Sequence, residues 1–159
     1  MKELLSFQST IPQNYQGTIS YEYNLDQPLS KMEITLSYNH ERPADPKAYL
    51  QKYRTFLTKK LEAYLGRKAS EEDLLKAIAS MKTEIQFALF LDEKFICNIH
   101  KPGNNKKMLV TADDVSKAAA FMQAIKGQVK IVINVFAVIE DDTSIVLTIA
   151  GEEEHVQAY

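Results

Sequence analysis

The stretch NHERPAD holds the densest set of reactive side chains, with His40, Glu41, Arg42 and Asp45 inside one short turn. An imidazole oriented by a neighbouring carboxylate is the material of a general base, so this junction is the candidate for catalysis or small-molecule binding. The same spacing also makes a polar turn in which Asp45 caps a helix and the charges face water; that reading is the stronger. Cys97 and His100 form an isolated C-x-x-H. Residues three apart on a strand point to opposite faces and tetrahedral zinc takes four ligands, so no metal site is expected, and no cofactor is implied anywhere. The loop KPGNNKK brings Lys101, Lys106 and Lys107 beside Gly103 and offers charge to an anion. It lacks the glycine-rich strand-to-helix pattern of a phosphate loop and reads as a solvated turn. In RKAS, Ser70 sits in a basic-directed phosphorylation context but is better placed as a helix cap.

Periodicity defines the elements that must position these groups. GTISYEYNL and KMEITLSYN both alternate apolar and polar residues, and with DQPLS between them they predict a hairpin with one wet face. A further short strand over Leu4 to Phe7 is suggested before Pro12. Pro46 to Gly66 changes to a helical period, with Leu50, Tyr53, Leu57, Leu61 and Tyr64 on its apolar stripe. A second helix starts at Ser70 and buries Leu74, Leu75, Ile78 and Met81. TEIQFALFLDEKFICNIH is a second hairpin turning at Asp92 to Lys94. Thr111 caps a third helix that Gly127 closes, with Val115, Ala118, Ala119, Met122 and Ile125 on its inner stripe. The last hairpin, turning at EDDTS, completes an order ββααββαββ. Hairpins interrupted by helices define an α+β class: an antiparallel β-sheet of about six strands, with three α-helices mainly on one face.

A chain of 159 residues with formal net charge −2 fits one domain, residues 1–159, with 152–159 as a mobile acidic tail. The single cysteine, the absence of an apolar leader in MKELLSFQSTIPQNY and the lack of any membrane-length apolar run point to the cytoplasm and away from a membrane. The helix over 46–65 is basic, with Lys52, Arg54, Lys59 and Lys60 and interleaved aromatics. Its charge is spread around the wheel with the aromatics inside the apolar arc, so nucleic-acid binding is only a third option.

One surface lacks an explanation. From Val129 to Ile139 one face carries Val129, Ile131, Ile133, Val135, Ala137 and Ile139, yet Val132, Phe136 and Val138 lie on the other, as do Phe90 and the milder Val146 on their own strands. Each large side chain left wet forfeits about 1.5 to 3 kcal/mol of burial, so something is expected to cover them. The options are a third layer of the same chain, a second copy, or a ligand or partner helix. The acidic end (Glu140, Asp141, Asp142, Glu152 to Glu154) opposes the basic helix in sign and favours association.

The passage MEITLSYNHERPADPKAYLQKY resembles one segment of the PsbP-like accessory proteins, some of which act as chaperones or adaptors. The resemblance carries no residue role across. It is consistent with the leading expectation: a non-enzymatic protein-binding module acting as a homodimer, with a small-molecule site or enzyme at His40 to Asp45 as the alternative.

Overall fold

The computed structural model describes residues 1–118 and 124–153. The α+β class holds: a seven-stranded antiparallel sheet and three helices in the order ββααβββαββ. Strands β1 (Lys2–Ile11), β2 (Gly17–Tyr38), β3 (Glu84–Leu91), β4 (Lys94–Ile99), β5 (Asn105–Thr111), β6 (Ile125–Ala137) and β7 (Thr143–Glu153) lie in the order β1-β7-β2-β6-β3-β4, with β5 also paired to β2.

The predicted first hairpin is one strand. Its inward residues are Ile19, Tyr21, Tyr23 and Leu25 before the middle and Met32, Ile34, Leu36 and Tyr38 after it, an exchange of parity across register shifts between Leu25 and Lys31. A bulge inserts residues without ending a strand, and DQPLS is such an irregularity rather than a turn. The predicted last hairpin is likewise corrected, because β6 and β7 lie on opposite edges of β2. KPGNNKK is only partly a loop: Asn105 to Lys107 open β5, in which Lys106, Met108 and Val110 face inward. The third helix is shorter than expected. α3 covers Ala112–Ala118, whereas Ile125 to Gly127 are strand; Ala119 and Met122 lie outside the described residues. Glu152 and Glu153, expected in a tail, belong to β7, and residues 154–159 are outside the described residues.

β2 determines the shape. Its 22 residues would reach about 70 Å if straight. Yet β6 ends opposite Gly17 and β7 begins opposite Tyr38, and the connection 138–142 spans at most about 20 Å. β2 must therefore fold back on itself near Leu25 to Leu29. Its first half, with β6, β3 and β4, makes one layer; its second half, with β5, β7 and β1, makes the other. One hydrophobic core fills the space between them, from Ile85, Phe87 and Leu89 to Ile34, Leu36 and Leu147. Phe7 of β1 stacks on Tyr21 of β2 at 4.2 Å, joining the layers at one side. At the other side α3 lies against β4 and β5 and buries Val115.

Helix α1 (Pro46–Leu65) and α2 (Glu71–Ser80) form as the sequence predicts. Asp45 accepts from the Lys47 and Ala48 amides, Gly66 adopts φ 67° at the C-cap, and Ser70 with Asp73 makes a reciprocal capping box. The pair has its own small core of Tyr49, Leu50, Leu74 and Ile78. α1 is about 30 Å long against about 15 Å for α2, so its far turns outrun their partner. Phe56 and Tyr64 are exposed, although both were placed in the apolar arc.

Candidate functional site

His40, Glu41, Arg42 and Asp45 follow the end of β2, where the helical pair meets the sheet. His40 takes φ 40°. Its Nε2 lies 3.7 Å from Glu140 Oε2, and its buried Nδ1 has no partner among the described residues. Arg42 turns away and donates at 2.6 Å to the Ala79 carbonyl near the C-terminus of α2, where a cation suits the helix dipole. Asp45 is committed to capping α1. Glu140 accepts from the Ala44 amide through its other oxygen. The four residues thus diverge. The histidine gains a carboxylate that the sequence spacing did not indicate, Glu140, but Arg42 and Asp45 do not join it.

Two unheralded residues organise this junction. Thr83 donates to the His40 carbonyl at 2.7 Å, and its hydroxyl accepts from the Ile139 amide at 3.3 Å. The Thr83 amide donates to the Glu41 carbonyl. Gln13 donates to the Ile139 carbonyl at 2.8 Å and accepts from the Tyr53 hydroxyl at 2.7 Å, beside the tilted pair Tyr49 and Tyr53. A cleft of about 360 Å³ between Ala44, Tyr49, Lys52, Glu140 and Asp141 opens there. Tyr38, buried at the end of β2, directs its hydroxyl at the Thr83 and Gly103 carbonyls. Burial, reinforced by Glu41 and Glu84, pushes its ionisation up to about 12. The chemistry of this region is that of polar groups tying three segments together.

The other candidates separate. Cys97 is half-buried with its sulfur 3.3 Å from Met108 Sδ, burial pushes its thiol up, and His100 is exposed at the strand end. Among the described residues no three His, Cys, Asp or Glu side chains gather as a metal site. Of the basic groups around α1, Arg54 pairs bidentately with Glu71 and Arg67 with Asp73.

The five apolar candidates do not form one surface. Val138 is a correction: it follows the end of β6 and is 3% exposed in the core. Val146 pairs with Ser37 and lies on the outer side of the second layer. Phe90, Val132 and Phe136 share the outer side of the first layer, where Val132 stands opposite Ala88 and Ser20. Phe136 is 49% exposed and Phe95, packed edge-on against Phe90, is 52% exposed. Around them lie Thr18 hydrogen-bonded to Asn134 and Glu22 paired with Lys130 at 3.2 Å. α1 and α2 pack on each other and α3 on β4 and β5, so no described helix covers this face.

Fold and surface together define a two-layer α+β domain built on one shared, folded strand, with an uncovered sheet face and a clamped polar junction. The chain belongs to a family of unknown function, DUF6669, whose family model matches residues 1–155. No curated protein and no solved structure matches it. No described helix is long and apolar enough to cross a membrane.

Proposed function

We propose that this protein is a non-enzymatic binding module that associates as a homodimer through the outer side of its first layer. The observation that carries this reading is an outer side that no described helix covers, on which Phe95 is exposed beside half-buried Phe90 and Phe136 is exposed further along β6, past half-buried Val132. Apolar aromatic residues at the centre of a polar-rimmed patch are what protein interfaces use. A second copy is the occupant that fits best, because the face carries both Glu22 and Lys130. A two-fold contact lets each carboxylate meet the partner's ammonium. The single cysteine agrees with a cytoplasmic setting.

An enzyme at His40 is the weaker reading, since Arg42 and Asp45 are engaged elsewhere. Light scattering at high micromolar concentration is expected to give twice the chain mass. The double substitution Val132→Lys and Phe136→Glu, on exposed or half-exposed positions, is expected to give a folded monomer. A wild-type monomer, or a dimer unaffected by that pair, defeats the proposal.

A further inference from the structure

Lys106 is the only charged side chain among the described residues that lies in the buried set, at 2% exposure. It occupies an inward position of β5, opposite Leu36 and two residues before Met108, where the strand pattern calls for an apolar residue. Its ammonium donates to the Lys101 carbonyl. An ammonium has three donors and this is one of them. Glu41 and Glu84 act on it through space, but neither forms an ion pair with it, and Glu84 is instead 3.9 Å from Lys82. A buried charge without a direct counter-ion is costly, so it either gives up its proton or acquires an anion. Burial accordingly lowers the proton affinity of Lys106.

Lys106 lines a cavity of about 200 Å³ between the β4–β5 loop and the junction, together with Glu41, Lys82, Glu84, His100, Lys101 and Gly103. We propose that this cavity binds a small monocarboxylate, with its carboxylate seated on Lys106 Nζ. That volume accommodates a small organic acid such as acetate or a short hydroxy acid. With Lys82 and Lys101 also in the wall, the three lysines exceed Glu41 and Glu84 by one positive charge, which a monoanion balances and a phosphate dianion or dicarboxylate exceeds. A hydroxyl on the acid finds acceptors in those same two carboxylates.

The test is amide-resolved NMR titration of the full chain with sodium acetate and sodium glycolate at constant ionic strength, with inorganic phosphate as comparator. Saturable shifts centred on Thr83, Gly103 and Lys106 are expected with the two acids and not with phosphate. Lys106→Met is expected to weaken the effect by about tenfold or more, the loss of one charge-assisted contact, while Lys101→Gln, which keeps its carbonyl, retains it. Glu41→Gln removes a repulsion and is expected to tighten binding severalfold; it also decides the matter if Lys106→Met does not fold. Shifts that do not saturate, an equal response to phosphate, binding retained in Lys106→Met, or affinity unchanged in Glu41→Gln would overturn the proposal.

Discussion

At the scale of single residues, the junction between sheet and helices depends on groups whose importance comes from where the chain returns to them. Tyr38 shows this best. Its neutral form is favoured in the folded protein, where its ionisation is raised to about 12, while in the unfolded chain it titrates near the ordinary value of about 10. The stability it contributes is therefore complete below pH ~10 and is lost as pH rises through ~12. Urea denaturation across that range is expected to show a steeper alkaline loss in the wild type than in Tyr38→Phe. At neutral pH the variant is expected to be about 1 to 2 kcal/mol less stable, because two carbonyls lose a donor. The caps were legible in sequence because each sits beside its own signal. Gln13, Thr83, Glu140 and Lys106 were not: their partners lie far along the chain, and an inward lysine reads as loop.

At the scale of elements, the first two helices and most of the strands were readable, while β2 was split in two and the start of β5 read as loop. Asp45, Pro46, Gly66, Ser70 and Asp73 act on backbone within one turn, so the start of each helix and the end of the first were fixed locally. β2 fails the same treatment because its apolar residues exchange parity at the fold, and Pro28 amid polar neighbours imitates a hairpin turn. Helix α3 was overextended because ADDVSKAAAFMQAIKG keeps a helical composition past the point where pairing with β2 claims Ile125. Packing is also close at the folded region of β2. A Cβ at Gly151 would stand 2.7 Å from Leu29 Cδ1 and 2.9 Å from Leu4 Cδ1. Gly151→Val is therefore expected to destabilise by about 1 to 3 kcal/mol in denaturant titration, through overpacking. Ser144→Val, on the same strand but facing out, is expected to change little.

For the whole molecule, the two layers share one hydrophobic core and one strand. β7 stands between β1 and the second half of β2, so a chain ending before Thr143 leaves β1 with no strand to pair. Such a truncation is expected to lose cooperative thermal unfolding and amide dispersion altogether, not merely to shed one edge. If the truncated chain melts in a single sharp transition, the layers are more independent than their shared strand implies. The same shared strand bears on how the chain is made. β2 leaves the ribosome well before β5, β6 and β7, the strands that satisfy its backbone. At roughly 5 to 20 residues per second, a long run of unpaired donors and acceptors stays open for seconds during synthesis. The bend that gives the finished protein its two layers thus makes the nascent chain dependent on protection until its final strands arrive.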